Sequence, residues 1–339
     1  MHTRTDVRRI VEERWNSLTK PPGSLGRLET LIADLAEMQG TPEPKLDRKA
    51  MYIFCGDHGS TVEGTSAWPS EVTAQMVRNF LRGGAAISVL GKSTGLELTV
   101  VDCGVLGPPI AGAVNRKIAQ GTRNFVQEPA MTRAQAQQAL DHGAALAGEC
   151  QADIAGVGEM GIGNTASASA LISAFTGLTP ADTVGHGAGV SAEGLLRKRA
   201  AVEAALTRHK AAFADPLDTL AAVGGFEIAT MAGFVLESAA LRRPIVVDGF
   251  ITSAAVLAAR ALSPDVVNYL FYSHCSAERA HRRVLQILGA EPILDLGMRL
   301  GEGSGAALAI NLIAQAHGLY TNMATFEQAA VAESKESAL

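Results

Sequence analysis

Two glutamates set among glycines are the residues of this sequence best suited to chemistry. Glu159 stands in Gly156-Val157-Gly158-Glu159-Met160-Gly161-Ile162-Gly163-Asn164-Thr165, and Glu302 in Arg299-Leu300-Gly301-Glu302-Gly303-Ser304-Gly305-Ala306. Glycines remove side-chain cover and let backbone approach a ligand closely. A carboxylate partly shielded in such a turn has its pKa raised, which suits it to take a proton from a bound molecule. The plainer reading of Glu302 is an acid that favours the dipole of the helix predicted over Ala307–His317. Spacing alone leaves those two readings level. Glu159 is harder to dismiss, because folding needs no carboxylate inside a glycine turn.

The first of these turns matches G-x-G-x-x-G after a predicted strand, the pattern of a dinucleotide site and so of an NAD-dependent oxidoreductase. Two features oppose it. The next acid at a suitable distance, Asp182, lies in a Pro-containing turn, and the glycine turn runs on through Gly163-Asn164-Thr165 before a helix predicted over Ala166–Phe175. The same turn also makes a cradle for a single phosphate, with backbone N–H groups facing the anion and Asn164 or Thr165 capping the helix. A strand-to-helix turn built for folding alone is the third reading.

The other polar residues near glycines give weaker signals. Asp57, His58, His186, His274 and His281 invite a metal reading, but none forms His-x-His or His-x-x-x-His, and a lone His beside Gly reads as a hydrogen-bonded turn residue. No metal and no cofactor are expected. Lys198 reads as a solvated helical lysine and Ser276 as a helix cap ahead of Glu278.

Short apolar runs must position these turns: Met51–Cys55, Leu98–Val101, Asp153–Val157, Pro244–Val247, Val267–Tyr272 and Ile293–Leu296. Such runs, separated by helical segments, predict a parallel sheet covered on both faces, with ligands bound beyond the carboxyl ends of its strands. Five turns would meet there: Gly56-Asp57-His58-Gly59, Gly158 to Thr165, Asp248-Gly249-Phe250, Ser273-His274-Cys275-Ser276 and Gly301 to Gly305. Ahead of them lie helices predicted over Thr5–Leu18 and Leu25–Met38, the second capped by Ser24 and stopped by Gly40, with a bend at Lys20-Pro21-Pro22-Gly23. Thr41-Pro42-Glu43-Pro44 reads as a linker. The end of the chain, Tyr320 to Leu339 with a helix over Thr325–Ala332, is expected to pack on those first helices. Residues 1–45 with 318–339 then form a small helical domain beside an α/β domain at 46–317.

Composition sets the outer limits. Among 339 residues there are 35 Gly, 57 Ala and only 16 aromatics, a mixture of closely packed helices and buried strands. The formal charge of −5, with no basic stripe, argues against a nucleic-acid partner. No run of about 18 apolar residues predicts a membrane span, and the charged segment Met1 to Trp15 does not read as a secretory signal. Cys55, Cys103, Cys150 and Cys275 show no Cys-x-x-Cys spacing, which points to a reducing, cytoplasmic setting.

From residue 20 to about 315 the sequence resembles the nicotinate-nucleotide:dimethylbenzimidazole phosphoribosyltransferases of cobamide nucleotide-loop assembly. The likeness rests on Lys20-Pro-Pro-Gly-Ser-Leu-Gly-Arg-Leu-Glu29, Gly56-Asp-His-Gly59, Glu71-Val-Thr-Ala-Gln-Met-Val77, Gly83-Gly-Ala-Ala-Ile87, Gly158-Glu-Met-Gly-Ile-Gly-Asn-Thr165, Gly224-Gly-Phe-Glu-Ile-Ala229, Val247-Asp-Gly-Phe250, Ser273-His-Cys-Ser-Ala-Glu278 and Gly301-Glu-Gly-Ser-Gly-Ala-Ala307. It implies an α/β fold with an open, mainly parallel, Rossmann-like sheet and helices on both faces. It also implies transfer of 5-phosphoribose from nicotinate mononucleotide to a benzimidazole-type base, giving α-ribazole 5′-phosphate and nicotinate. In that family likeness Glu302 is the general base and Glu159 lies beside it, while Ser66, Gln75, Met160 and Leu300 line the benzimidazole. Gly161, Gly163, Asn164, Thr165, Lys198, Asp248, Gly249 and Ser276 surround the phosphoribosyl and nicotinate parts. A homodimer is expected from the same resemblance and from the prevalence of two-fold assemblies. The chain departs from the family pattern at Ala166, at Gly185-His186-Gly187-Ala188-Gly189 and at Trp68.

Overall fold

Six strands hydrogen-bond side by side, all parallel, in the order β3-β2-β1-β4-β5-β6. They are β1 (Lys49–Gly56), β2 (Glu97–Gly104), β3 (Val114–Asn115), β4 (Ile154–Met160), β5 (Ile245–Val247) and β6 (Leu270–Tyr272). The computed structural model describes residues 3–187 and 189–332. Among these residues no helix is long and apolar enough to cross a membrane.

The period-2 alternation of a strand divides the core in two. Tyr52 and Phe54 of β1 point to one face, where they meet Phe234 with ring centroids 4.5 and 5.6 Å away. Met51, Ile53 and Cys55 point to the other face, into a cluster with Leu35 and Ile310. The helices Arg133–Glu149, Phe226–Ala240 and Phe250–Leu262 cover the first face, and Arg27–Gln39, Ala86–Thr94 and Ser304–Asn322 cover the second. Burial on both faces is why β1 reads as one continuous apolar run. Gly143 and Gly233 let two of these helices cross main chain to main chain, since a Cβ at either would strike the partner's backbone.

The first two helices span Arg4–Ser17 and Arg27–Gln39, and Gly40 ends the second at φ 71° as expected. Ser24 is not its cap. Gly26 holds that position, and the Glu29 carboxylate instead takes the Leu25 N–H at 3.0 Å and stands 2.8 Å from Lys20 Nζ, closing the Pro-Pro bend from within. The start of the C-terminal segment folds back onto this region: Trp15 packs on Tyr320 at 5.2 Å, Leu18 bridges Thr325, and Tyr320 Oη donates to the Pro42 carbonyl. The apolar core of these helices is continuous with that of the second sheet face. The last predicted helix shortens to Phe326–Ala329, and residues 333–339 lie outside the described residues.

Two strand expectations need correction. Ile293–Leu296 makes a single bridge, Leu294 to His274, because it runs alongside the turn beyond β6, where little strand remains to pair with. Val267–Tyr269 belongs to a 3-10 turn, Pro264–Tyr269, which leaves β6 three residues. The sixth strand is β3 at the opposite edge, whose two residues are too few to show a period in sequence.

Candidate active site

Strand order reverses between β1 and β4, and this opens a crevice at the carboxyl ends of the strands. The crevice is a cavity of about 420 Å³. Its floor comes from the turns after β4, β5 and β6, and one wall from Arg299 to Glu302. Trp68, Val72, Met76 and Gly187 close the remaining sides. Four of the five predicted turns therefore converge. The fifth, after β1, sits beneath them, with His58 buried between Glu227 (2.7 Å) and Ser167 (3.0 Å).

Gly156 and Gly158 lie inside β4 and not in the turn that follows it. A Cβ on Gly158 would come within 2.6 Å of the Glu302 and Gly303 backbone, and one on Gly156 within 2.9 Å of Met51 Sδ. These glycines bring the Glu302 turn against the sheet and do not cradle a pyrophosphate, which removes the structural basis of the oxidoreductase reading.

Gly301, Glu302 and Gly303 all adopt left-handed backbone, with φ of 88°, 63° and 87°. For the two glycines this costs little, while Glu302 bears strain of a kind that persists only when surrounding structure enforces it. Asp248 supplies the enforcement. Its buried carboxylate accepts N–H groups from Gly303 (3.2 Å), Gly305 (2.7 Å) and Ala306 (3.1 Å), pinning the turn to the start of helix Ser304–Asn322. Glu302 itself is buried, and its Oε2 accepts the Ile87 N–H at 3.2 Å in the first turn of helix Ala86–Thr94.

Burial pushes all three carboxyl groups up. Glu159 rises to about 8, helped by the negative charges of Asp248, Glu227 and Glu302 and opposed by the amide of Asn164. Asp248 rises to about 7 against the pull of its three backbone donors, and Glu302 rises against the pull of Ile87. A side chain at Gly301 would run into the Glu159 carboxylate, so the two acids are neighbours. The site can thus hold one carboxyl protonated and another ionised near neutral pH.

The raised Glu159 pKa has a measurable consequence. An ordinary carboxyl titrates near 4.5, and Glu159 in the fold near 8. Between those values only the folded protein keeps the proton, so the stability linked to it is present at acid pH and lost as pH rises through 8. Glu159→Gln is expected to be more stable to unfolding than the unmodified protein at pH 9, by up to about 5 kcal/mol at about 1.4 kcal/mol per pH unit, and to match it at pH 4. An identical difference in Tm at both pH values would contradict this.

Neither Asn164 nor Thr165 caps the helix Asn164–Thr176. Gly163, at φ 94°, holds the cap position, which frees both side chains for the site. The Asn164 amide donates to Glu159 Oε2, and Thr165 Oγ1 accepts from Lys198 Nζ at 2.7 Å. Lys198 is no solvated lysine: it is 1% exposed, also donates to the Gly185 carbonyl at 3.2 Å, and burial lowers its pKa to about 8. Ser276 is not a cap either, since helix His281–Leu288 starts five residues on, after Ala280.

Of the sequence-predicted residues, Glu159, Met160, Gly161, Asn164, Thr165, Asp248, Gly249, Ser276, Leu300 and Glu302 line the cavity. Gly163 and Lys198 stand behind that wall. Ser66 and Gln75 also fall outside it: Ser66 Oγ accepts the Trp68 N–H, and Gln75 is exposed on helix Glu71–Arg82 while Val72 and Met76, one turn apart, face inward. Among the described lining residues Arg299 is the one Lys or Arg, and sequence reasoning passes over it. Its place directly before Leu300-Gly301-Glu302 is the available signal. Among the described residues those of the metal reading do not gather into a group of three or more: His58 bonds Glu227, His186 the Val190 carbonyl and His274 Ser273.

Comparison with known proteins decides what this geometry belongs to. Residues 2–331 match the family described as Phosphoribosyltransferase. A nicotinate-nucleotide–dimethylbenzimidazole phosphoribosyltransferase of Cupriavidus necator is 51% identical over 318 residues, covering 92% of each chain. The chain belongs to this phosphoribosyltransferase family. A relative of the same name from Geobacter sp. strain M21 is 48% identical over 325 residues, covering 94% of this chain and 93% of its own. A crystal structure of CobT from Thermus thermophilus superposes with a TM-score of 0.91 at 44% identity, over 97% of this chain and 99% of the other. The whole of the α/β body, and not one motif, is shared with the family.

Proposed function

We propose that the cavity transfers 5-phosphoribose from nicotinate mononucleotide to 5,6-dimethylbenzimidazole or a related flat base, yielding α-ribazole 5′-phosphate and nicotinate for the nucleotide loop of cobalamin. The observation that carries this reading is the pairing of Glu302 with Glu159 on one largely apolar cavity of a family member. Met160, Leu300, Val72, Met76 and Trp68 offer surfaces on which a planar heteroaromatic ring can stack, and Leu300 and Trp68 are more than half exposed.

The chemistry follows from the charges. The ribosyl donor carries a cationic pyridinium, whose ring becomes neutral when the C1′–N bond breaks and its electron pair returns to nitrogen. The unprotonated nitrogen of the base forms the new bond to C1′. As it does so, the opposite ring N–H becomes acidic, and Glu302 accepts that proton. Attack opposite the leaving nicotinate turns β into α, so the main task of the site is to hold two flat rings on either side of C1′. Carboxylate charge also stabilises the cationic ribosyl centre.

Arg299 suits the anionic donor, which carries a phosphate and a carboxylate, because among the described residues its guanidinium makes a single weak contact, 3.4 Å to the Gly187 carbonyl. Arg299→Met is expected to raise KM for nicotinate mononucleotide about tenfold, with KM for the base little changed. An unchanged donor KM would remove Arg299 from the site.

Assembly as a homodimer is supported by the family resemblance and is checked by sedimentation equilibrium. The function itself is tested by incubating the protein with nicotinate mononucleotide and following free nicotinate by chromatography. Release should begin only when a benzimidazole is added. Turnover of a nicotinamide dinucleotide in its place would restore the oxidoreductase.

A further inference from the structure

Beneath the cavity floor the turns after β5 and β6 are tied together by a side chain that takes no part in the chemistry above. His281, 1% exposed, opens the helix His281–Leu288. Its Nδ1 accepts the Ser276 backbone N–H at 2.8 Å, and its Nε2 lies 3.0 Å from Ser253 Oγ. Ser253 in turn donates its hydroxyl proton to the Gly249 carbonyl at 2.8 Å.

The proton count fixes every direction in this chain. A backbone N–H can only donate, so Nδ1 carries no proton. A neutral imidazole then holds its proton on Nε2 and donates it to Ser253, whose oxygen is free to accept because its own proton goes to Gly249. Burial, and the neighbouring ring of His274 at 6.2 Å, hold the His281 pKa down to about 3, so the ring stays neutral. Nothing in the chain can be reversed without leaving a buried donor facing a donor.

The two ends of the chain are cavity walls. Ser276 Oγ accepts the Glu278 N–H at 3.2 Å, which leaves its own proton for a ligand oxygen. The two turns lie against each other, since a Cβ at Gly249 would make ordinary contact with His274 Cε1 at 3.4 Å and Ser276 Cβ at 3.8 Å. Ser273 Oγ donates to the Asp248 carbonyl at 2.7 Å and so also joins these turns, while the His281 chain is the link that ends on Gly249 and Ser276 themselves.

We propose that His281 is a positioning residue, a neutral bracket that fixes the spacing of Gly249 and Ser276 and so the seat of the phosphoribosyl end of the donor. This rests on the donor occupying those two turns, as in the proposed function. His281→Leu removes both bonds and should raise KM for nicotinate mononucleotide about tenfold, with kcat within about threefold and KM for dimethylbenzimidazole unchanged. His281→Asn, whose amide oxygen takes the place of Nδ1, should restore most of the loss. Ser253→Ala should raise the donor KM part-way, and combined with His281→Leu should add nothing further, as two links of one chain require. Should the leucine variant not fold, Ser253→Ala carries the same comparison.

The bracket can also be observed without substrate. In ¹⁵N-histidine-labelled protein at pH 7 the His281 ring should show the neutral tautomer protonated on Nε2. A charged ring, the opposite tautomer, or an unchanged donor KM in both single variants would overturn the proposal. Because the spectrum needs no turnover, it separates failure of the bracket from failure of the functional reading, which absence of nicotinate release by the unmodified protein would mark.

Discussion

Glu302→Gln is expected to lower kcat about a hundredfold while leaving the KM for nicotinate mononucleotide within about threefold, the range ordinary for loss of a general base. The amide keeps the shape of the side chain and can still accept the Ile87 N–H, so the left-handed turn and its packing against Gly158 survive. What it cannot do is take the proton released as the base attacks. Because burial raises the Glu302 pKa above 4.5, kcat/KM should also fall as pH drops, with an inflection above that value. The variant should lose this acid limb, since its amide does not titrate. Turnover equal to that of the unmodified protein would remove Glu302 from the chemistry.

The second large effect is expected at a residue that lines the cavity but spends its hydrogen bonds on the protein. Asp248→Ala leaves the N–H groups of Gly303, Gly305 and Ala306 without their carboxylate. Bonds to a charged partner contribute about 1.5–3 kcal/mol each and are not additive, so a loss of roughly 3 kcal/mol in unfolding free energy is expected. Turnover should fall at least tenfold as well, because the bond from Gly303 to Asp248 is what holds the strained Glu302 backbone against relaxation. Urea unfolding and steady-state kinetics on the same variant measure both effects. A variant that is destabilised but fully active would show that the Glu302 turn holds its shape without this anchor. The family resemblance places Asp248 among the groups around the donor, and the structure gives it a prior duty, holding the Glu302 turn in shape.

How much of this is legible in the sequence depends on how many residues each feature spans. β1 and β4 are long and buried on both faces, so their apolar runs announce them. β3 has two residues and leaves no periodic trace, while Ile293–Leu296 has the composition of a strand but pairs only through a single bridge, Leu294 to His274, beyond the end of β6. The glycines around Glu159 and Glu302 read as places of close approach, and the structure agrees. What the sequence does not tell is what approaches them: at Gly158 it is the Glu302 turn, not a phosphate. Lys198 reads as solvated because a helical lysine ordinarily is, and only the third dimension brings Thr165 and the Gly185 carbonyl onto its ammonium. The lining by Val72 and Met76 is hidden for the same reason, since which side of a helix faces a cavity depends on elements distant in sequence.

The central claim, a base-assisted transfer with inversion at C1′, is tested most directly by the product. Unmodified protein incubated with nicotinate mononucleotide and 5,6-dimethylbenzimidazole should yield nicotinate and a ribosylated benzimidazole in equal amounts, and NMR of the anomeric proton should show the α configuration. Ribose 5-phosphate in place of the nucleotide, a β product, or no nicotinate with any benzimidazole would contradict the account.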